Sequence, residues 1–482
     1  MNLQALVDLL RPRGLLVTAP DADPVIGGLT VDSREVMPGA LFLALPGAVA
    51  DGHDFIPQAV TAGAVAVLAE RPVKAAVPLV VVRDARAAAE LLAAAWYHHP
   101  LAALEVVGIT GTNGKTTTTA LVRHLLNAGG DAGSIGTLGA FDGAGEHVAS
   151  TAGALTTPGP LDLQRTFRSM VDRGVTRVAM EASSHALHQR RLDAVAFAGG
   201  VFTNLTREHL DYHATMEAYL EAKLRLASLV RDTGVLAINA DDPAWAPLHG
   251  DSRAVTWGHA ADAALRVGEV HHFTAGSRVT FEGRFGTAEV QLPLPGEFNV
   301  ANAAAACAVA LGLGHSLRDV AERLRDAPQV PGRMERLIDA PFHVIRDYAH
   351  TPDALERLLA TVRAITARRL ILVFGCGGDR DRGKRPIMGE IAAAGADLVL
   401  LTSDNPRTED PERIIDDIAE RMPKKAYQRE SDRHVAIATA LALAGAGDTV
   451  VLAGKGHETY QIIGGTREPF DERAIVRGLM GL

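Results

Sequence analysis

The chain has 482 residues, 47% of them apolar, and a formal net charge of -9. At roughly 100–200 residues per domain, this length predicts about three domains with a core each. Charges of both signs are interspersed, and the absence of a basic stripe argues against a nucleic-acid partner. We find no signal-peptide pattern and no apolar run near the ~20 residues of a membrane span, so we expect a cytoplasmic protein. Cys307 and Cys376, the only cysteines, suit a reducing compartment and offer no metal-ligand spacing.

Residues 1–100 read as a small α/β unit whose most informative segment is Asp32-Ser33-Arg34, followed by PGALFLALPG. A serine and an arginine that leave a strand together can bind phosphate, although a solvated turn is the commoner use of such a tripeptide. A predicted helix over Ala85–Tyr97 ends shortly before Pro100, where we place the first domain boundary.

The segment Leu104–Leu126, LEVVGITGTNGKTTTTALVRHLL, has the strand, glycine loop and helix order of a phosphate-binding loop. The alternative is a plain glycine turn. Lys115 can neutralise the outer phosphates, and the Thr116 hydroxyl can take a magnesium ion at the positive end of the helix. The predicted nucleotide-binding residues are Gly111, Thr112, Asn113, Gly114, Lys115, Thr116 and Thr117.

A second strand, from Val175, is expected to deliver Glu181 just past its end, where parallel sheets place their ligands. Magnesium takes one or two carboxylates together with phosphates and waters, so Glu181 could complete a site with Thr116. The alternative is a solvated glutamate at a strand end.

Further polar residues are ambiguous when taken alone. His209, in a loop, and Lys223, on the following helix, would ordinarily be a satisfied histidine and a solvated lysine. Asn299 and Asn302 lie one turn apart at the start of a long helix, where they could read a base edge or cap the helix.

The last third of the sequence repeats one plan, in which an apolar strand ends in a polar loop. The loops are DYAHTP from Asp347, CGGDRDRGKRP, SDNPRTEDP and GKGHETYQ. A doubly wound parallel sheet brings such strand ends to one crevice. The basic loop around Arg380 could also be merely solvated.

One departure from the usual nucleotide loop is informative, because Ile109 stands where the first glycine is expected. The GxxGTNGKTT form resembles the Mur ligases and their folylpolyglutamate synthetase relatives more than it resembles kinases or GTPases. The resemblance extends along the chain in one order, through DSR, GTNGKTT, TTP, EASSH, NLTREHLDYH, EAK, GEFNVAN, PGRME, DYAHTP, GDRDRGKRP, SDNPR and GKGHE. Glu208 is a mild departure, since the family often has Asp there.

The resemblance implies three α/β domains: an N-terminal UDP-binding domain (1–100), a central P-loop ATPase-like domain (101–332) and a C-terminal Rossmann-like, amino-acid-binding domain (333–482). It implies catalytic roles for Lys115, Glu181, His209 and Lys223, with Lys223 carbamylated. Two magnesium ions would be bound by Thr116, Glu181, His209 and Lys223. ATP would also contact Asn302, Arg333 and Asp347. Substrate contacts would come from Ser33, Thr156, Thr157, Ser183, Gln189, Arg191, Arg380, Asp404, Asn405, Arg407, Gly454 and Glu458.

The implied reaction is ATP-dependent addition of a diamino acid to UDP-N-acetylmuramoyl-L-alanyl-D-glutamate, through an acyl phosphate, in peptidoglycan synthesis. The DNPR segment favours meso-diaminopimelate, and L-lysine or L-ornithine remains open. A folylpolyglutamate-forming ligase and a non-catalytic muropeptide-binding module are more distant alternatives. We expect a monomer.

Overall fold

The computed structural model describes residues 1–47, 50–149, 155–273 and 275–482. It confirms the predicted α/β class, with sheets that are largely parallel. The chain forms two compact units. The first contains Met1–Thr112, Leu126–Ala237 and Pro247–Ala254, and the second contains Asn113–Leu125, Ile238–Ala246 and Val255–Leu482.

The α-helices, numbered α1 to α15 in chain order, are Leu3–Leu10, Ile56–Thr61, Ala85–Trp96, Lys115–Leu126, Pro160–Asp172, Ser184–His188, Leu210–His213, Met216–Leu229, Glu297–Gly312, Leu317–Leu324, Pro352–Ile365, Lys384–Gly395, Pro411–Ala419, Arg433–Leu443 and Glu472–Leu479. The strands, numbered β1 to β23, are Leu16–Thr18, Gly28–Thr30, Ala40–Leu43, Ala66–Ala69, Leu79–Val82, Glu105–Thr110, Ala132–Gly136, Gly139–Phe141, Arg177–Glu181, Phe197–Phe202, Val230–Asn239, Ala254–Gly258, Leu265–Phe273, Gly276–Gly283, Gly286–Leu292, Glu335–Ile338, His343–Asp347, Leu370–Phe374, Leu398–Leu401, Tyr427–Arg429, Thr449–Ala453, Tyr460–Ile463 and Thr466–Pro469.

The N-terminal sheet of the first unit has the strand order β1-β5-β4-β3-β2, with β2 to β5 parallel and β1 antiparallel to β5. Strands β3 and β4 are buried along their whole length, which explains their continuous apolar sequences. Helices α1 and α3 cover one face with residues such as Leu6 and Leu92, and α2 covers the other with Ile56 and Ala59.

The larger sheet of the first unit has the order β8-β7-β9-β6-β10-β11. Strands β7, β9, β6 and β10 are parallel, so they end at one edge. One expectation needs correction there, because Glu181 is the last residue of β9 and does not follow it. The segment GSIGTLGAF forms the hairpin of β7 and β8.

In the second unit, β12 runs parallel to β13, and β13, β14 and β15 form an antiparallel meander. Helix α9 is buried from Val300 to Leu311 apart from Ala301, because its alanine-rich sequence is apolar on nearly every side. The C-terminal sheet has the order β16-β17-β21-β18-β19-β20 and is parallel except for β16. The loops that follow β17, β21, β18 and β19 therefore leave one edge, as the sequence predicted.

Glu90, on α3, is a buried carboxyl group with 8% of its surface exposed. Its Oε1 has no hydrogen-bond partner within the described residues. Burial, followed by the negative charge of Asp193, raises the pKa of Glu90 to about 8, against the opposing effect of Arg190. Glu90 is therefore protonated at neutral pH.

Replacing Glu90 with Gln should remove a pH dependence of stability. Because the pKa of Glu90 is raised from 4.5 to about 8 on folding, the folded state retains this proton while the unfolded state releases it. Stability should therefore fall as pH rises through this window, at most by roughly 1.4 kcal/mol per pH unit. We expect urea unfolding at pH 6 and pH 9 to show a stability advantage of Glu90→Gln over wild type that grows with pH. Glu35→Gln, at an exposed position, is the control. A pH-independent difference would contradict the assignment.

Candidate functional site

The predicted phosphate loop lies between β6, which ends at Thr110, and α4, which begins at Lys115. Gly111 has a φ of +147° and Gly114 a φ of +84°, a region that side chains rarely adopt. A side-chain carbon at Gly111 would overlap Thr203 Oγ1, and one at Gly114 would overlap Asn302 Oδ1. A residue with a side chain would therefore be strained at either position and would also clash with a neighbouring atom. Lys115 opens a helix of 12 residues, which favours an anion at that end.

Glu181 is 1% exposed at the end of β9. Thr137 donates to it twice, from its N–H to Oε1 at 2.8 Å and from its hydroxyl to Oε2 at 3.1 Å. No Lys or Arg forms an ion pair with Glu181 in the described part of the chain. A buried carboxylate is normally paired or bound to a metal, so this arrangement suits a cation ligand. Thr137 was not predicted from the sequence, where its only signal is its place in a glycine-rich segment.

The predicted muropeptide-binding residues assemble beside Glu181. The Thr157 hydroxyl donates to Glu181 O at 2.8 Å and lies 3.1 Å from Ser183 Oγ. Arg191 donates from Nη1 to Thr157 O at 3.0 Å and from Nε to Gln189 Oε1 at 2.9 Å. Thr156 joins the group through Thr137, with 3.2 Å between their hydroxyl oxygens.

The acceptors around Arg191 are neutral, and in the described residues it forms no carboxylate ion pair. Burial and the charge of Arg86 lower the pKa of Arg191, as expected for a cation held without a counter-anion. Ser33 lies in the turn after β2 of the N-terminal sheet. Its hydroxyl donates to Gln58 Oε1 at 3.1 Å.

Lys223 and His209 are both found around the ring of Tyr219. Lys223 is 1% exposed, and its Nζ lies 2.7 Å from Gly111 O and 4.4 Å from the Tyr219 ring centroid. The His209 ring is 6.1 Å from the same centroid. The Tyr219 hydroxyl lies 3.2 Å from Thr112 Oγ1, which ties this group to the glycine loop. Tyr219 was not singled out from the sequence.

His185 lies against His209, with 4.8 Å between the ring centroids. Burial, followed by the charge of His209, lowers the pKa of His185 to about 4. His185 is therefore neutral at physiological pH.

Within the second unit, the head of α4 lies near the end of β17. Arg333 Nη2 is 3.4 Å from Thr116 Oγ1, and its guanidinium carbon is 4.5 Å from the centroid of the Tyr348 ring. Asp347 accepts from the Met334 N–H at 2.7 Å and thereby fixes the turn that carries Arg333. Burial raises the pKa of Asp347, and the charge of Arg333 opposes this rise. Tyr348 was missed from the sequence.

Two further contacts surround the same helix. Asn113 Nδ2 lies 3.3 Å from Asp353 Oδ2 at the start of α11. Asn302, on α9, accepts at Oδ1 from the Thr118 hydroxyl at 3.3 Å. Thr117 is buried, with 4% exposure.

The predicted amino-acid-binding residues gather at the ends of β19 and β21. Asn405 Nδ2 donates to Glu458 Oε2 at 2.9 Å, and the buried Lys455 Nζ lies 3.1 Å from Asn405 Oδ1. A side-chain carbon at Gly454, where φ is +109°, would lie 2.6 Å from Asp404 Oδ2. Lys455 was not predicted to contribute.

Arg407 and Arg380 border the same glycine. A side-chain carbon at Gly377 would lie 2.9 Å from Arg407 Nη1 and 3.7 Å from Arg380 Cγ. Arg407, whose φ is +53°, donates from Nη1 to Gly378 O at 2.8 Å, while Arg380 is exposed. The Arg407 guanidinium and the aliphatic part of Arg380 therefore lie beside the loop that holds Asn405.

Arg433, fully buried on α14, holds these loops through hydrogen bonds to their backbone. It donates from Nη1 to Ser403 O at 3.2 Å, from Nη2 to Ala453 O at 2.9 Å and from Nε to Glu472 Oε1 at 2.8 Å. Both members of the Arg433–Glu472 ion pair have side-chain exposures of 0%. Arg433 therefore fixes the ends of β19 and β21 to helix α15.

A glycine-lysine-threonine loop at a helix start, with polar loops at the edge of a second parallel sheet, defines an α/β nucleotide-binding enzyme. Three family models match the chain: the Mur ligase family catalytic domain over residues 25–100, the Mur ligase middle domain over 109–310 and the Mur ligase glutamate ligase domain over 332–456. The chain belongs to the Mur ligase family and is an ATP-dependent amide ligase.

Relatives include the UDP-N-acetylmuramoyl-L-alanyl-D-glutamate–2,6-diaminopimelate ligases of Geobacillus thermodenitrificans and Gloeobacter violaceus. The first is 45% identical over 94% of this chain and 95% of its own length, and the second is 45% identical over 99% and 98%. A solved structure of a ligase with the same name has a TM-score of 0.66 and 35% identity, covering 95% of each chain. Among the described residues, no helix is long and apolar enough to cross a membrane.

Replacing Arg433 with Ala should destabilise the protein by about 3–5 kcal/mol, because it leaves Glu472 buried without its partner. Urea unfolding checks this. The control, Arg429→Ala, removes partly exposed ion pairs with Glu412 and Asp416, which should cost at most about 1 kcal/mol each. Equal losses in the two variants would show that the buried pair does not stabilise the C-terminal sheet.

Proposed function

We propose that this ligase adds meso-diaminopimelate to UDP-N-acetylmuramoyl-L-alanyl-D-glutamate in peptidoglycan synthesis. The observation that carries the choice of amino acid is the placement of Arg407 and Arg380 beside Gly377, next to the Asn405 and Glu458 pair. The names of the two relatives support the same substrate pair. ATP and a UDP-linked precursor are cytoplasmic metabolites, in keeping with the expected location. The monomeric state remains a prediction.

The proposed reaction has two steps. The terminal carboxylate of the muropeptide attacks the γ-phosphorus of ATP, which gives an acyl phosphate and ADP. The amino group of the diamino acid then attacks the acyl carbon, an amide forms, phosphate leaves and the amine releases a proton. Lys115 and the start of α4 would hold the ATP phosphates. Arg333, 3.4 Å from Thr116, would add positive charge there, since charge stabilisation is the main task in such a transfer.

The muropeptide would occupy the group formed by Thr156, Thr157, Ser183, Gln189 and Arg191. Arg191 has neutral partners and would gain a carboxylate of the substrate as its counter-charge. Ser33 would bind the UDP end. Asp347 fixes the turn that carries Arg333, and both residues would contribute to the ATP site.

The residues present fit magnesium. Glu181 offers a buried carboxylate without a Lys or Arg partner among the described residues, and Thr116 offers a hydroxyl at the phosphate loop. Oxygen donors of this kind, together with phosphates and waters, are what magnesium prefers. Bound magnesium would neutralise phosphate charge. A second ion would be held near His209 and Lys223.

Lys223 would have to be carbamylated to serve there, because an ammonium would repel a divalent cation whereas a carbamate attracts one. Its Nζ is buried beside Gly111 O and the Tyr219 ring, and His209 is near the same ring. This position, directly behind the glycine loop, supports a role for the modified side chain near the phosphates.

The carbamate should be visible by carbon-13 spectroscopy of protein equilibrated with ¹³C-bicarbonate, magnesium and substrates. We expect one slowly exchanging carbamate signal that Lys223→Gln abolishes. Lys455→Met, which alters another fully buried lysine, should retain the signal. A wild-type spectrum without the signal, or a signal that survives in Lys223→Gln, would refute the modification.

The choice of amino acid can be tested by competition. Diaminopimelate carries a second carboxylate that Arg407 and Arg380 could bind. Lysine and ornithine lack this carboxylate and would leave the Arg407 guanidinium without an anion. With the three amino acids at equal concentration, we expect diaminopimelate to be favoured by on the order of 10⁴-fold, since sites built for a polar group reject analogues that lack it.

Product masses give the ratio. Arg407→Ala should lower this preference by two or more orders of magnitude, mainly through weaker use of diaminopimelate. Arg413→Ala, at an exposed position on α13, is the control and should leave the ratio unchanged. A wild-type preference for lysine or ornithine would refute the proposed substrate. An unaltered ratio in Arg407→Ala would refute only the role of Arg407.

A further inference from the structure

The turn that carries Arg333 has an unfavourable backbone conformation. It comprises residues 330–334 and lies directly before β16. Gly332 has a φ of +66° and Met334 a φ of +47°, a region that residues with a side chain rarely adopt. The Arg333 N–H donates to Val330 O at 3.0 Å. Because left-handed backbone at Met334 is unfavourable on its own, contacts with the rest of the chain must hold the turn.

Glu335, the first residue of β16, supplies one of these contacts. It is 1% exposed, and its Oε2 accepts from the Gly332 N–H at 2.7 Å. Arg346, on β17, donates to the same oxygen from Nε at 3.0 Å and from Nη2 at 2.7 Å, and Arg473 forms an ion pair with Oε1. Burial raises the pKa of Glu335, but the hydrogen bonds that it accepts outweigh this effect and lower the pKa below its usual value. Two arginines therefore hold an ionised carboxylate against the turn.

The turn is also fixed by two further contacts. A side-chain carbon built on Gly332 would lie 2.2 Å from His457 N, so Gly332 packs directly on the backbone of the loop after β21. The Met334 N–H donates to Asp347 Oδ2 at 2.7 Å. Gly332 is therefore held by Glu335 and by packing, and Met334 is held by Asp347. Arg333 lies between these two fixed residues.

We propose that Glu335 is a positioning residue that sets Arg333 against the phosphate loop through its hydrogen bond to Gly332. Arg333 Nη2 lies 3.4 Å from Thr116 Oγ1, so a small shift of the turn would move the guanidinium away from a phosphate bound at the start of α4. A displacement of about 1 Å can slow a reaction on the order of 100-fold. The inference rests on the proposed function in that Arg333 acts on the phosphates of ATP.

The test compares two replacements of Glu335. Glu335→Met removes the acceptor for the Gly332 N–H at similar volume, whereas Glu335→Gln removes the charge and retains an oxygen acceptor. Asp339→Asn, which changes an exposed carboxylate directly after β16, is the control. Because Glu335→Met could unfold the chain by leaving Arg346 buried without its partner, Glu335→Met combined with Arg346→Met is made as well. Replacing both members of a buried ion pair by apolar residues is often neutral or stabilising.

Each replacement is measured alone and together with Arg333→Ala. Calorimetry with the β,γ-imido analogue of ATP gives the affinity for nucleotide without the muropeptide. Turnover gives kcat, and urea unfolding gives stability. Hydrogen exchange of residues 331–335 reports the order of the turn.

We expect Glu335→Met, alone or with Arg346→Met, to weaken analogue binding and lower kcat, each on the order of tenfold, and to speed exchange in the turn. Glu335→Gln should keep both quantities within about threefold of wild type, because Gly332 still has an acceptor. Asp339→Asn should resemble wild type. In the Arg333→Ala background, Glu335→Met should cause no further loss of affinity or kcat, while its effect on stability should be the same in both backgrounds. A merely structural role would not give this pattern.

Wild-type affinity and kcat in a folded variant that carries Glu335→Met would overturn the proposal. Losses that multiply with those of Arg333→Ala, or equal losses in Glu335→Met and Glu335→Gln, would overturn it as well. If Arg333→Ala itself keeps wild-type affinity and kcat, the ATP role given to Arg333 fails, and the inference fails with it. A failure of the muropeptide to trigger ADP release would instead count against the proposed substrate, and the affinities would still decide the role of Glu335.

Discussion

A phosphate loop must bring several backbone N–H groups to one point, and here this requirement decides which residues can stand at two positions. Gly111 and Gly114 have positive φ values, and each leaves a space that another side chain enters, Thr203 in one case and Asn302 in the other. The lysine and the hydroxyl that follow are placed by this backbone. The proposed chemistry depends on the geometry of these few residues.

Charge is distributed in the two units according to what each charge must do. Arg433 and Glu472 form a fully buried ion pair, and Arg433 holds two strand ends in place. The buried Glu181 and the partly buried Arg191, by contrast, have neutral hydrogen-bond partners in the described structure. A charge that is removed from water without a counter-charge destabilises the folded state, and such charges are typical of ligand-binding sites. Glu181 suits a cation, and Arg191 suits an anion.

The sequence predicted those parts of the site that depend on local pattern. Short segments are enough to predict the glycine loop, the α/β class and the polar residues at the ends of β9, β17, β19 and β21. In a parallel sheet the loops that follow the strands lie at one edge, where ligands bind. Glu181 was found in this way, although it lies within its strand.

Contacts between distant segments could not be predicted. Thr118 and Asn302 are 184 residues apart, and Arg333 and Thr116 are 217 apart. Thr137 was missed because its hairpin looked like a turn, and Arg433 because an arginine on a helix is ordinarily solvated. In each case the role depends on which strand lies beside which, and periodicity does not contain that information. The same limit applies to Asn302, whose position on a helix turn left base reading and capping equally open.

In the proposed reaction, ATP activates a carboxylate of the muropeptide as an acyl phosphate. The most direct measurement uses UDP-N-acetylmuramoyl-L-alanyl-D-glutamate labelled with ¹⁸O in its terminal carboxylate, together with ATP and diaminopimelate. We expect one labelled oxygen per turnover to appear in inorganic phosphate and the other to stay in the new amide, because an acyl phosphate holds one of the two carboxylate oxygens on phosphorus. Phosphate free of label in a reaction that forms the amide would contradict it.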